Sequence, residues 1–86
     1  MIKIQFLTMV DCHNCEAVKK IFDEIMPEFK DIVEVTEIDM MTQEGQELTQ
    51  KYSVMASPGI IINDELFATG GVDRDKLVEK LRSIAE

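Results

Sequence analysis

Cys12 and Cys15 are the only cysteines in the chain, and two residues, His13 and Asn14, separate them. That spacing lets two thiols close into an internal disulfide, or open so that one of them attacks a disulfide in another molecule. The attacking species is the thiolate, so the surroundings of the first sulfur govern the chemistry. Two other readings use the same pair. Thiolates bind soft metals, and two buried thiols with nothing in reach are inert. Structural zinc wants four ligands, and only Cys12, Cys15 and His13 lie close in sequence.

The element that carries the pair separates these readings. Ile2, Ile4 and Phe6 alternate with Lys3 and Gln5, the period of two that marks a strand. Leu7 extends the apolar character to the other face, as in a strand covered on both sides. From Glu16 the period changes. Ala17, Val18, Ile21, Phe22 and Ile25 fall on one helix face, and Lys19, Lys20, Asp23 and Glu24 on the other. Pro27 is expected to end or kink this helix, because it removes a donor and crowds the residue before it. The C-x-x-C therefore follows a strand and opens a helix. There, unpaired N–H groups and the helix dipole stabilise a thiolate. Cys12, at the exposed tip, is placed to attack, and Cys15, one turn in, to resolve. A strand-then-helix setting favours exchange chemistry over an inert pair.

The remaining elements alternate in the same way. Ile32 to Met40 reads as a second strand with Val33 and Val35 on one face. Thr42 caps a second helix running to about Tyr52, anchored by Leu48 and Tyr52, although Gly45 inside it costs about 1 kcal/mol against alanine. Ile60, Ile61 and Ile62 form a third strand. Asn63-Asp64 supplies turn chemistry, since both tolerate left-handed dihedrals. Glu65 to Thr69 returns as a fourth strand, and Gly70-Gly71 breaks it. Asp73 caps a last helix whose Leu77, Val78, Leu81, Ile84 and Ala85 form an apolar stripe. The order is β-α-β-α-β-β-α, an α/β arrangement with a right-handed parallel crossover at its start. It implies a mixed four-stranded sheet with helices on both faces.

Length and composition bound the function. Eighty-six residues allow one domain, here residues 1–86. Apolar residues make up 45% and charged residues 30%, the balance of a soluble folded domain. Nine basic residues against seventeen acidic ones leave a net charge of −8. That charge repels phosphate backbones and anionic lipid, so neither nucleic acid nor a membrane is an expected partner. It suits solubility or a basic partner, but by itself it localises no patch. No segment approaches the roughly 20 apolar residues needed to span a bilayer. Met1 to Val10 lacks the apolar run and cleavage site of a signal peptide. The expected location is cytoplasmic, where a cysteine pair is more often catalytic or metal-binding than structural.

The segment Ala56-Ser57-Pro58-Gly59-Ile60-Ile61-Ile62, taken with the strand, C-x-x-C and helix at the start, resembles the thioredoxin and glutaredoxin superfamily, in particular its short thioredoxin-like members. The resemblance spans essentially the whole chain and implies a thioredoxin-like fold. It also implies a cis peptide bond before Pro58, which would face the C-x-x-C loop. Ser57 and Pro58 would then form the substrate-side wall, with Ser57 offering backbone groups to an extended peptide. The family departures are informative. Asp11 stands where thioredoxins usually carry tryptophan, and His13-Asn14 replaces their Gly-Pro and the Pro-Tyr of glutaredoxins. Asp11, His13 and Asn14 are thus the candidate redox-tuning residues. A protonated His13 favours a neighbouring thiolate, and Asp11 opposes it. Gly70-Gly71-Val72-Asp73 resembles the glutaredoxin segment that holds the glutamyl end of glutathione, which makes Gly71 and Asp73 candidate glutathione contacts. Met9 and Met55 are expected to fill core, with adaptable contacts beside the groove as the other role.

The resemblance implies a thiol–disulfide oxidoreductase acting on protein disulfides and restored by a thioredoxin-reductase-like enzyme or another thiol reductant. No metal or organic cofactor is expected. The alternatives are a glutathione-linked, glutaredoxin-like activity and a copper or zinc carrier. A non-catalytic interaction domain of the same fold is a further alternative, but it would need neither thiol. The carrier reading rests on Met9 and the C-x-x-C, which resemble the M-x-C-x-x-C loop of small copper chaperones. The spacing here is one residue too long, and those domains run β-α-β-β-α-β.

Overall fold

Strand β1 (Ile2–Thr8) buries Ile2, Ile4 and Phe6 on one face and Leu7 on the other, so the sheet has a core on each side. The computed structural model describes residues 1–85. β1 pairs in parallel with β2 (Val33–Asp39) and antiparallel with β3 (Gly59–Ile62). β3 in turn pairs antiparallel with β4 (Glu65–Thr69), giving the order β2-β1-β3-β4. With helices α1 (His13–Phe29), α2 (Gln43–Lys51) and α3 (Arg74–Ala85), the element order is β-α-β-α-β-β-α. This is the thioredoxin-like arrangement expected from the sequence.

The larger core joins α1 and α3 to one face. Val18, Phe22, Ile25 and Phe29 of α1, and Leu77 and Leu81 of α3, pack with Ile4, Phe6, Ile60 and Ile62. Leu77, Leu81, Ile4 and Ile60 are wholly buried, and burying each such side chain stabilises the fold by about 1.5–3 kcal/mol. The rings of Phe6 and Phe22 lie 5.2 Å apart at 59°. On the opposite face Leu7, Ile38, Val54 and Ile61 form a smaller core, covered by Met40, Leu48 and Tyr52. Leu48 and Tyr52 anchor α2 as the pattern implied. Ala17 and Ala85 are exposed and lie outside the buried stripes.

Helix α1 does not stop at Pro27 but continues two residues to Phe29. The proline removes the bond that the Asp23 carbonyl would accept. Both Asp23 and Pro27 are exposed, so water can take that place. Phe29, at 3% exposure, draws the last turn onto the sheet. Outside the core, Arg82 of α3 grips Glu28 of α1 through two hydrogen bonds of 2.8 and 3.0 Å. That hydrogen bond, reinforced by the Arg82 charge, holds the Glu28 carboxyl below its ordinary range. Any stability this exposed pair adds is present above that range and fades as pH falls through the lowered value.

The turns follow local chemistry. Thr42 Oγ1 accepts the Gly45 N–H at 3.1 Å and donates to the Asp39 carbonyl at 2.7 Å, capping α2 and tying it to the end of β2. Asn63 and Asp64 take φ of 48° and 66°, the pair of positive values a two-residue hairpin turn requires. Asp73 Oδ1 accepts the N–H groups of Asp75 and Lys76 at 2.9 and 3.2 Å, capping α3.

Gly45 has a packing reason that helix propensity hides. It is buried, and a Cβ there would collide with the Asp39 carbonyl oxygen and lie 2.7 Å from Met40 Cα. Propensity alone makes Gly45→Ala stabilising by about 1 kcal/mol. The close backbone approach reverses the sign, and we expect the variant to lose about 1–3 kcal/mol in denaturant unfolding.

Candidate active site

Cys12 is the N-cap of α1, with extended dihedrals of φ −101° and ψ 105°. Its Sγ accepts the Cys15 backbone N–H at 3.0 Å, where an Asp or Ser oxygen would ordinarily cap a helix. The Cys12 carbonyl accepts the Glu16 N–H at 3.2 Å, the first intrahelical bond. The sulfur therefore lies in the field of the helix N-terminus, as the strand-then-helix pattern implied. Cys12 and Cys15 are joined by a disulfide with Cα atoms 5.2 Å apart. Cys12 is half-buried, whereas Cys15, packed in the larger core, is only 5% exposed.

The chain reaches this point through a tight reversal after β1. Met40 N–H donates to the Thr8 carbonyl at 2.8 Å, fixing the end of β1 against the end of β2. Asp11 adopts a left-handed φ of 58° and turns the chain into α1. His13 and Asn14 form the first turn and are exposed.

From 45 residues away Ser57 closes the site. Its Oγ lies 3.4 Å from Cys12 Sγ. In the oxidised pair Cys12 has no S–H, so the hydroxyl is the donor. The Ser57–Pro58 peptide is cis, and Pro58 is fully buried. The Pro58 carbonyl accepts the Gly70 N–H at 2.8 Å, which moors this loop to the end of β4. Gly59 follows in close contact, since a Cβ there would meet Val54 Cγ1 at 2.8 Å. Among the described residues no backbone hydrogen bond engages Ser57.

The structure thus brings Ser57 to Cys12, with the cis Pro58 next in the chain, and lines the disulfide pocket with Asp11 but not with His13 or Asn14. It does not place Gly71 or Asp73 among the residues lining the disulfide pocket, and Asp73 is engaged as the α3 cap. The expected core role of Met9 and Met55 is incorrect. They are 40% and 87% exposed, because both sit on loops outside the strands and helices that build the cores, Met9 just after β1 and Met55 before β3. Sequence reasoning also left out four residues that line the pocket: Thr8, Glu16, Lys19 and Glu37. Lys19 lies one turn beyond Cys15, and that i, i+4 relation is a readable signal. Glu37 needed the β1–β2 register, which sets it opposite Phe6. Lys19 Nζ and the Glu37 carboxylate are 3.5 Å apart.

The comparisons with known proteins agree with this geometry. A sequence model of the thioredoxin domain matches residues 1–83. The thioredoxin of Methanocaldococcus jannaschii is 33% identical over 81 residues, covering 94% of this chain and 93% of that protein. A probable thioredoxin of Methanothermobacter marburgensis is 32% identical over 81 residues with the same coverage. Among solved structures, oxidised thioredoxin O2 from Arabidopsis thaliana aligns with a TM-score of 0.76 over the whole of this chain and 76% of its own. Its identity of 18% makes that a likeness of fold. A thioredoxin fold carrying a disulfide-forming C-x-x-C at a helix N-terminus defines a protein-disulfide oxidoreductase. Within that class, the chain belongs to the thioredoxin domain family.

Ser57 offers a direct check on the geometry. Once the pair is reduced, its hydroxyl can donate to a Cys12 thiolate. Replacing it, Ser57→Ala, should slow iodoacetamide alkylation of reduced Cys12 near neutral pH by up to about tenfold, since hydrogen bonds to charged groups contribute about 1.5–3 kcal/mol when shielded from water. An unchanged rate would show that the hydroxyl does not act on the thiolate.

Proposed function

We propose that Cys12 is the attacking thiolate and Cys15 the resolving thiol of a dithiol–disulfide exchange on protein disulfides. The observation that carries this assignment is the asymmetry of the pair. Cys12, whose Sγ caps the helix, is half-buried, and Cys15 is buried one turn further in. The Cys12 thiolate attacks one sulfur of the substrate disulfide, forming a mixed disulfide and releasing the other substrate sulfur as a thiolate. Cys15 gives up its proton and attacks Cys12 Sγ. The internal disulfide forms and the second substrate sulfur leaves. Two electrons and two protons have then passed to the substrate. A thioredoxin-reductase-like enzyme or another thiol reductant restores the dithiol.

Ser57 and Pro58 serve as the wall against which the substrate chain lies. Ser57 keeps its backbone groups unengaged beside the sulfur, which suits pairing with an extended segment. His13, Asn14 and Asp11 surround the reactive sulfur in sequence and set its redox poise. Residues 1–86 act as one domain, in a reducing compartment such as the cytoplasm. Among the described residues no helix is long and apolar enough to cross a membrane.

The glutathione-linked and metal-carrier alternatives have weaker support. Asp73, the candidate contact for glutathione, spends one carboxylate oxygen on the α3 cap, and carboxylates border the sulfur pocket. The spacing from Met9 to Cys12 is one residue longer than in the copper-chaperone loop that the carrier reading rests on.

The two cysteines have distinct expected phenotypes. Cys15→Ser should accumulate mixed disulfides through Cys12, visible as reductant-sensitive adducts on a gel. Cys12→Ser should form none and should lose insulin-disulfide reduction. Equal trapping by both variants, or trapping through Cys15, would overturn the assignment of roles.

A further inference from the structure

Two depressions meet at Met9. One holds the disulfide and is bordered by Asp11, Glu16 and the Lys19–Glu37 pair. The other extends along the end of β2 and the side of α2, lined by Met40, Met41, Gln46 and Thr49, with no charged side chain among its lining residues. Met9 is 40% and Met41 62% exposed, and Met55, two residues before Ser57, is 87% exposed. Unbranched thioethers left in water, with Met9 joining them to the disulfide pocket, form an apolar surface that can adapt to differing side chains.

Charge decides what that surface can take. Lys19, the cation bordering the disulfide, is held against Glu37. Asp11 and Glu16 have no cationic partner among the described residues, and the chain as a whole carries −8. A basic segment approaching Cys12 is therefore attracted and an acidic one repelled.

We propose that the preferred substrates present their disulfide in a basic, apolar-flanked segment: a Lys or Arg beside the attacked cysteine faces Asp11 and Glu16, and an apolar side chain further along enters the Met9–Met40–Met41 depression. The proposal rests on the exchange chemistry assigned above and names the substrate class for it. It also sets protein disulfides of this kind above glutathione disulfide, which is anionic.

The test compares disulfide-linked peptides that differ only in Lys or Glu beside the cysteine, and only in Leu or Ser further along. Hydroxyethyl disulfide serves as the small neutral control. At low salt, kcat/KM for the Lys peptide should exceed that for the Glu peptide by about tenfold or more. The ratio should shrink toward one in about 0.5 M salt, where screening is short-ranged. The Asp11→Asn/Glu16→Gln variant should lower the ratio, which is formed within each variant so that changes in thiol reactivity cancel. Met41→Ser should erase the preference for Leu over Ser and keep the Lys-to-Glu ratio. A Lys-to-Glu ratio at or below one, or a ratio untouched by the carboxamide variant, overturns the proposal. If hydroxyethyl disulfide is not turned over either, the exchange reading itself falls and the proposal with it.

Discussion

A sulfur atom occupies the capping position of α1. Cys12 Sγ accepts the Cys15 N–H there, so the first turn closes through the group that also does the chemistry. An N-cap needs an acceptor, and a thiolate or a disulfide sulfur can serve as one, which couples helix formation to the reactive state of the sulfur. That coupling works only if the helix is fixed in place. Val18, Phe22, Ile25 and Phe29 hold it to the sheet, and Cys15 is buried at the start of the same stripe. The larger core thus sets the position of the second sulfur. The first is left at the edge, where a partner can reach it.

The opposite wall comes from the far half of the chain. β3 is buried at every position and β1 is its neighbour, so the loop before β3 must end beside the loop after β1. Ser57 meets Cys12 because of that adjacency. The bond from Gly70 to the Pro58 carbonyl moors the same loop from its other side. Along β2 the face shared with α1 changes from buried Val33 through half-buried Val35 to exposed Glu37. The sheet grades from core to charged rim as it approaches the disulfide. α2 and its Met40–Met41 approach complete the surface on the other side.

Much of this was legible from local patterns. The alternation in β1, the stripe in α1, the Thr42 and Asp73 caps and the Asn63-Asp64 turn each express a short-range rule, and each appears as read except that Ala17 falls outside the α1 stripe. The position of Cys12 followed from the change of period around the C-x-x-C. Ser57 was different. Forty-five residues separate it from Cys12, and only the family resemblance brought them together. Pro27 does not end α1, the first of the two outcomes its ring allows, because the carbonyl it orphans is exposed and can find water. Gly45 looked like a defect because its close approach to Asp39 is tertiary. The exposure of Met9 and Met55 and the inclusion of Glu37 in the pocket depended on loop paths and strand register. No window of sequence around those residues contains that information.

The central claim is that Cys12 and Cys15 act as one reversible two-electron couple. Its most direct test is a redox titration of the native chain, with the dithiol fraction read by thiol labelling and mass spectrometry. The account predicts a single two-electron transition with both thiols labelled together, at a potential within roughly −270 to −200 mV, the span of thioredoxins and glutaredoxins. Thiols that resist oxidation throughout the titration, or that are labelled independently of one another, would contradict it.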